Sequence, residues 1–518
     1  MKIQLIHPPV YLNVHAMTAL RPSMPMGLAY VGAVLRQAGH EVSMLDAVAE
    51  APDKVTKDRH LHRLGLLPEE IVERLDPEAG AFGLTNMWSF SWPLVRELIH
   101  QIKAAYPDIP LVCGGEHFTG LPDYSMETSP IDYIITGEGE DAATTLFAAI
   151  EHGLPVDEIP GLVYWKDGKR GGELLKTGPQ KRRRNLDELP WPAWDLVDIA
   201  IYNRWELVNG VRAGLTVPIL ATRGCPYQCT YCASPQMWTT RYYTRDPEDV
   251  ANEIEYYHKH YGATNFPFQD LTAIVKRDWI IEFCNALLAK KLDITWQFPS
   301  GTRCEVIDDE VARLLFETGG KHLAYAPESG SERTRDLIKK RMKTESLLNA
   351  VEASVRHKLN ITCFFVLGFP HDTQEDFRLT RKLVRKLALM GIDDIAIGFF
   401  FPIPATELYH QLVERGDIKD NDDDFLMTPI FANEAKLTED HNYCDHMTAR
   451  QLTWWKYRLL VNFYGISFLR HPWKLVQVVG NTLQGKETRK METFLVELKR
   501  KAGLVFGIGK KKTKSHTA

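Results

Sequence analysis

Three cysteines within eight residues, Cys225, Cys229 and Cys232 in the stretch ATRGCPYQCTYCASP (221–235), constrain this chain more than any other feature. Their C-x3-C-x2-C spacing, just beyond a short apolar run at Val217 to Leu220, brings three thiolates within reach of one iron-sulfur cluster. Four cysteines would close a 4Fe-4S cluster, so three leave one iron open to a small ligand. Gly224 and Pro226 suit a loop that wraps tightly, because glycine tolerates left-handed backbone and proline presets a turn. Two other readings of the same residues are a zinc knuckle and a redox pair formed by Cys229 and Cys232. Zinc usually wants a fourth Cys or His nearby, and none lies between Cys232 and His258.

Strand and helix patterns alternate on both sides of this loop. After it, apolar runs at 217–222, 265–269, 294–299, 321–327, 361–369 and 394–401 alternate with helical patterns at 249–261, 278–291, 308–318, 344–359 and 374–390, with Thr344 expected as an N-cap. Six such units predict a partial TIM-type barrel with its chemistry at the strand carboxyl ends. Before it, strands at 2–10, 41–47, 81–87, 109–115 and 131–137 alternate with helices at 27–39, 92–106 and 140–152. That order predicts a doubly wound, Rossmann-like α/β domain whose ligand sits outside the carboxyl ends of the strands. The first strand is not followed by G-x-G-x-x-G, which counts against a dinucleotide. The expected domains are therefore 1–152, a turn-rich linker at 153–215, a barrel at 216–425 and a helical, basic region at 426–518. The KRRR run at 181–184 in the linker reads as a solvated edge.

Hydrophobic content of 44% and charged content of 25% are those of an ordinary globular protein, and no apolar run approaches a membrane span. Cys113, Cys284, Cys304, Cys363 and Cys444 are scattered singly, which points to a reducing, cytoplasmic compartment. His441, Cys444 and His446 in HNYCDH read as a polar loop sooner than as a second metal site. The net charge of −5 is uneven: from Lys456 onward fourteen Lys and Arg face three Asp and Glu, a local +11 that leaves −16 for the rest. The aromatic run 448–470 is expected as a helical lid over the barrel, and 472–514 as a basic amphipathic segment in peripheral contact with the inner face of an anionic membrane. Nucleic acid is set aside, because these aromatics are spaced for burial and not for stacking.

The cysteine spacing, with Tyr231 just before the third cysteine, resembles the signature of the radical S-adenosylmethionine (SAM) superfamily. The pattern Gly114, Gly115, His117, Thr119, followed by DYIITGEGE (132–140), resembles the cobalamin-binding domain that precedes such a barrel in the cobalamin-dependent (class B) radical SAM family. Together the resemblance covers roughly residues 1–400. It implies an open iron that chelates SAM, an electron donor such as flavodoxin or ferredoxin, and radical attack on an unactivated carbon. The favoured outcome is methylation of a hydrophobic small molecule, lipid or pigment, with the methyl group delivered through cobalamin. The rival on the same scaffold is oxidative cyclisation or rearrangement of a tetrapyrrole or lipid. An RNA or protein methylthiotransferase would need further N-terminal cysteines, where only Cys113 stands, and a non-catalytic cobalamin sensor would not need the cysteine loop.

By the same resemblance Tyr231, Gln269, Asp270, Arg303, Glu328 and Ser329 are the expected SAM contacts. Pro9, Thr85, Asn86, Gly114, Gly115, Glu116, His117, Thr119, Gly137 and Glu138 are the expected cobalamin contacts. The family's Asp-x-His-x-x-Gly motif has only DRHLHR (58–63) as a counterpart. His60 and His62 are read there as polar-helix residues, which leaves the cobalt without a protein histidine ligand.

Overall fold

The computed structural model describes residues 1–13, 15–16, 22–59, 61–428, 432–484, 491–492 and 495. Five parallel strands form the centre of the N-terminal sheet, in the order Glu41–Asp46, Lys2–His7, Ala81–Thr85, Leu111–Gly114 and Tyr133–Ile135. Alternate side chains feed two separate cores. Ile3 and Leu5 pack with Leu28, Leu146 and Phe147 under helices Met26–Gln37 and Gly139–His152, while Ile6, Phe82 and Leu84 pack with Ile71, Trp92 and Val95 of Pro68–Arg74 and Trp92–Ala105. A parallel sheet buried on both faces needs such near-continuous apolar strands. The chain order 2-1-3-4-5 reverses direction between the first and third strands, which places the ligand crevice at their carboxyl ends.

Two stretches differ from the sequence reading. Within the expected linker, Leu162–Trp165 and Leu174–Lys176 form an antiparallel hairpin that extends the sheet beyond Tyr133–Ile135. Val163 and Trp165 enter one core and Leu162 and Tyr164 the other, so a run read as turns is an alternating strand too short to stand out. The DRHLHR segment is not helical: Val55–Asp58 and Leu61–Leu64 pair as antiparallel strands, and Val10–Leu12 pairs with the second of them. His62 lies on that ladder opposite Leu12, and His60 falls outside the described residues.

In the second half, Asn265–Pro267, Thr295–Thr302, Gly320–Glu328, Asn360–Leu367 and Asp394–Phe399 run parallel in chain order, with helices between them. The sixth unit is reduced to bridges from Thr216 and Ile219 to Asn265 and Phe268. Pro218 stands between them and has no N–H to give the ladder. Thr344 is the first residue of its helix and not its cap, because its hydroxyl donates to Glu332 Oε1 at 2.9 Å. The rest of the expected linker serves the barrel. Trp194, Tyr202, Leu207 and Val208 join its core, and Gln297 holds Val211 through Val211 N–H to Oε1 (2.8 Å) and Nε2 to the Val211 carbonyl (2.6 Å).

Helix Ala449–Arg470, opened by a Thr448/Gln451 capping box, buries Leu452, Trp455, Leu459 and Phe463. It packs along the outer helix Gln374–Met390 and the last strand, so the expected lid is a lateral wall. Among the described residues no helix is long and apolar enough to cross a membrane.

The two halves share an apolar core, in which Trp92 and Phe118 pack with Phe369, Phe400, Leu408 and Phe425, and they are also joined by buried charge. The Arg223 guanidinium donates to Glu140 Oε1 at 2.5 Å, approaches Glu138 at 3.4 Å and lies 5.1 Å over the Tyr30 ring. Burial opposes both charges, yet each partner keeps the other ionised: Arg223 lies above its ordinary pKa and Glu140 below. Removing one partner of such a pair strands the other charge, at a cost of about 3–5 kcal/mol. Glu140→Leu is expected to lower the urea midpoint accordingly, and Glu140→Leu combined with Arg223→Met to cost clearly less; equal losses would show that the pair does not hold the halves together.

Candidate functional site

The cysteine loop runs from a short strand, Thr222–Arg223, to helix Ser234–Trp238. Gly224 has φ +89°, and a Cβ there would lie 2.1 Å from the Arg241 carbonyl oxygen, so only glycine lets the chain turn here. Thr230 anchors the loop in both directions: its N–H donates to the Ile338 carbonyl (3.1 Å) and its carbonyl accepts from Leu408 N–H (2.9 Å). The three thiols are free and half-buried. Burial raises Cys225 and pushes Cys229 up to about 11, and the neighbouring sulfurs add to the effect in both. Among the described residues no trio of His, Cys, Asp and Glu converges as a single metal ion requires. Three thiols on one loop, each within electrostatic reach of its neighbours, are a donor set that a cubane with one open iron uses. In the HNYCDH loop, Cys444 is buried with its thiol donating to the Asp372 carbonyl at 3.3 Å.

Among the expected SAM contacts, two brace each other at the carboxyl face and the rest are held by other protein groups. The Tyr231 hydroxyl donates to Glu328 Oε1 at 2.7 Å, and Lys340 Nζ donates to the same oxygen at 2.8 Å. Glu328 itself has φ +61°, a strained conformation for a residue with a Cβ. Arg303 is spent inside the protein: it pairs with Glu305 (Nε to Oε2, 3.0 Å), donates to the carbonyls of Lys340 (3.1 Å) and Arg341 (2.8 Å), and lies 3.9 Å over the Tyr227 ring. Asp270 is also occupied, accepting from the Thr222 hydroxyl (2.5 Å) and Ala221 N–H (3.2 Å), with burial pushing its carboxyl up to about 6. It secures the strand that leads into the cysteine loop. Gln269 accepts from Asn209 Nδ2 at 3.3 Å, and Ser329 turns to Thr380 at 3.2 Å. Lys340, Glu305 and Tyr227 were not legible in the sequence. Lys340 is one of four basic residues in KKRMK, and only the turn back after helix Glu332–Leu337 brings it to Glu328.

Strand alternation shows what lines the barrel. Tyr325 points outward, its hydroxyl bonded to Ser354 on an outer helix at 2.9 Å, and Cys363 and Ile395 share its register. The intervening positions therefore face the lumen: His322, Thr362 and Asp394 toward its amino end, and Ala324, Ala326, Phe364, Val366, Ala396 and Gly398 toward its carboxyl end, where the lining is apolar and largely of small side chains.

At the N-terminal crevice, Asn86 follows the third strand. Its Oδ1 accepts from Ser91 at 2.7 Å, while its Nδ2 is buried without a partner. Thr85 and Gly115 lie against it. Gly115 has φ +121°, and a Cβ would come within 2.6 Å of the Asn86 carbonyl oxygen, so this glycine is fixed by the neighbouring loop. Gly114 ends the fourth strand, Glu116, raised by burial, opens the helix after it, and Gly137 follows the fifth strand. Thr119 ties these loops, donating to the Gly115 carbonyl (3.0 Å) and accepting from Gly137 N–H (2.9 Å). Pro9 is buried beside Gly65.

Two expected contacts are turned inward. His117 is buried with Nδ1 on Ser89 (3.1 Å), Nε2 on Ser125 (3.1 Å) and its ring stacked on Trp92, which leaves no nitrogen for a ligand. Glu138 holds Arg182 (3.1 Å) as well as Arg223, so the middle of the KRRR run is a built contact, while Lys181 and Arg184 are exposed as a solvated edge would be. Exposed Met87 and Trp88 at the switch point were missed, as loop residues without a motif. An unpaired buried amide beside exposed apolar side chains fits a large ligand bearing amide groups, as cobalamin does.

Comparison with known proteins agrees. The radical SAM superfamily model matches residues 219–384, and the B12 binding domain model matches residues 14–147. The uncharacterized methyltransferase PH0819 of Pyrococcus horikoshii is 27% identical, covering 80% of this chain and 83% of that protein. The anaerobic magnesium-protoporphyrin IX monomethyl ester cyclase of Synechocystis is 28% identical over 80% of this chain and 78% of that protein. The hopanoid C-3 methylase of Methylococcus capsulatus is 23% identical over 95% and 90%. The fold resembles that of the cobalamin-dependent radical SAM enzyme OxsB, with a TM-score of 0.69, 14% identity and coverage of 99% and 82%. The chain is thus a radical SAM protein with a B12-binding domain ahead of the barrel. More narrowly, it is a cobalamin-dependent radical SAM enzyme, a class that employs a 4Fe-4S cluster, SAM and cobalamin.

Burial pushes His117 down to about 3, against about 6.5 in an unfolded chain. Between those values the unfolded chain binds a proton that the folded one does not, so stability falls as pH drops below about 6.5. From pH 7.5 to pH 5 this ring alone removes about 2 kcal/mol. Urea midpoints at the two pH values should differ less in His117→Gln than in the parent; an unchanged difference would place the acid sensitivity elsewhere.

Proposed function

We propose that this enzyme methylates an unactivated carbon of a hydrophobic lipid or pigment. The observation that carries the reading is the joint between the two sites. Glu138 and Glu140, just past the carboxyl end of the fifth N-terminal strand, grip Arg223, which lies two residues before Cys225. Helix Glu116–Gly120 of the crevice also packs against helix Ser234–Trp238, which follows the cysteine loop. The B12 crevice is thereby held against the radical SAM loop, as a radical at one site and a methyl donor at the other require.

When bound, the cluster, SAM and cobalamin would supply the radical and the methyl group. Cys225, Cys229 and Cys232 would hold the cluster, and Tyr231 and Glu328, steadied by Lys340, would border SAM. Asn86, Thr85 and the Gly114–Gly115 turn would take the cobalamin. The lumen residues Ala324, Ala326, Phe364 and Val366 suit an apolar substrate, in line with a relative named for a hopanoid. Electrons would come from a flavodoxin or ferredoxin. The enzyme would work in the cytoplasm, with its basic C-terminal region in peripheral contact with the inner face of the membrane.

The cyclase relative keeps a second reading open, cyclisation of a tetrapyrrole, and one experiment separates them. Anaerobically reconstituted enzyme is given methyl-labelled SAM, reductant and a lipid and pigment extract from cells lacking the gene. Label in a new lipid or pigment is expected, together with 5′-deoxyadenosine, and neither from Cys229→Ala. Deoxyadenosine with an unlabelled product would refute methyl transfer.

A further inference from the structure

Between the outer helix Gln374–Met390 and the lateral helix Ala449–Arg470 lies a groove of about 550 Å³. Arg378 and Arg381 reach it from one helix, and Arg450, Trp454 and Arg458, at successive four-residue spacing, from the other. Trp455 forms its floor, stacked on Phe377 at 5.6 Å. Arg458 lies over both indoles, 4.5 Å from Trp454 and 5.0 Å from Trp455. Only Arg378 has a carboxylate partner, Glu375 at 3.0 Å; among the described residues no carboxylate lies within ion-pair distance of Arg381, Arg450 or Arg458. Partial burial and the charges of Arg458, Arg385 and Arg378 all lower the Arg381 pKa, the mark of cations packed without a counter-charge. An anion would relieve them, and guanidinium groups suit phosphate because they bind it through two parallel hydrogen bonds.

The surroundings distinguish the source of that phosphate. Of nineteen exposed large hydrophobic residues among those described, nine fall between Trp454 and Leu483. Trp454, Tyr457, Val461 and Leu469 form one outward stripe, opposite the buried Leu452, Leu459 and Phe463. A helix apolar on both sides calls for a second apolar neighbour besides its own core. Helix Pro472–Gln484 continues the stripe with Trp473, Val476 and Leu483. Beyond Gln484 the sequence carries ten Lys and Arg against three Asp and Glu. A small soluble anion would use the groove alone, whereas a bilayer uses the groove, the stripe and the basic tail together.

We propose that this groove seats the phosphate headgroup of an anionic lipid while the stripe of Trp454, Val461, Trp473 and Val476 enters the bilayer interface. The inference rests on the peripheral-membrane contact proposed above and adds its recognition site. Sedimentation of the full-length holoenzyme with vesicles of phosphatidylcholine, with or without phosphatidylglycerol, tests it. Arg381→Gln/Arg450→Gln and Val476→Asp are run alongside, each first shown to keep the iron-sulfur absorbance of the parent. The parent should bind only the anionic vesicles, less tightly as salt rises. Losing one arginine near such a surface weakens binding roughly fivefold, so the double variant should bind about 25-fold more weakly. If the double variant binds as the parent does while Val476→Asp releases the vesicles, the groove is not the headgroup site although the membrane contact stands. If the parent ignores anionic vesicles, both fall. Calorimetric binding of inorganic phosphate, or of an acidic protein, without vesicle binding would overturn the lipid assignment.

Discussion

The register between the two sites depends on a buried cation, added to the apolar core that the halves share. Arg223 lies between two chemistries: on one side is the carboxyl edge of a sheet built to hold a large ligand, and on the other a loop of three thiols. A surface ion pair would contribute little. This one is buried, bonded to Glu140, flanked by Glu138 and Arg182 and backed by Tyr30, so its geometry is fixed as well as its charge. Such a joint adds little net stability compared with an apolar contact of the same volume. What it adds is register. A glutamate at the start of a helix can meet an arginine before the cysteine loop in only one relative placement of the two domains.

The cysteine loop is supported from beneath by backbone held in rare conformations. Glu328, Lys339 and Arg341 all have positive φ, at +61°, +55° and +46°, and all three lie around Tyr231 and Cys229. Each such residue stores on the order of 1–3 kcal/mol. The strain is sustained because the segments are over-determined: Lys340 bonds Glu328, Arg303 bonds the Lys340 and Arg341 carbonyls, and Ile338 receives Thr230. Residues that the family resemblance assigns to SAM thus also shape the pocket before any ligand arrives. Arg303 and Asp270 do so through bonds to Glu305, the Lys340 and Arg341 carbonyls, and Thr222.

How far the sequence was legible follows from which interactions are local. The cysteine spacing, the strand and helix alternation and the 374–390 helix lie in short windows, and each was readable. The Leu162–Trp165 hairpin was not, because four residues carry too little periodicity to outweigh the turn-rich text around them. His117 was assigned to the ligand because its motif neighbours line the crevice; the helix that starts at Glu116 rotates its ring under Trp92. Arg182 looked like part of a solvated run because its partner, Glu138, is 44 residues away. Lys340 and Glu305 escaped because no motif marks them, although their partners Glu328 and Arg303 lie only twelve and two residues away. Polar pairs leave no periodic trace, and those of longest range, such as Tyr231 with Glu328 and Thr222 with Asp270, are the hardest to read.

An apolar lumen and an apolar outer helix bear on one another. A cavity lined by alanine, phenylalanine and valine discriminates among hydrophobic molecules by only about 1–3 kcal/mol per methylene, far less than a site built on hydrogen bonds. Under the proposed function the barrel alone would therefore choose poorly among lipids and pigments. Selection then falls to what reaches the lumen, and the helix that walls the last strand also bears the outward stripe of Trp454, Val461 and Leu469. Position at a bilayer would restrict the candidates before the radical chemistry begins, so the surface that binds lipid and the lumen that transforms it act as one filter.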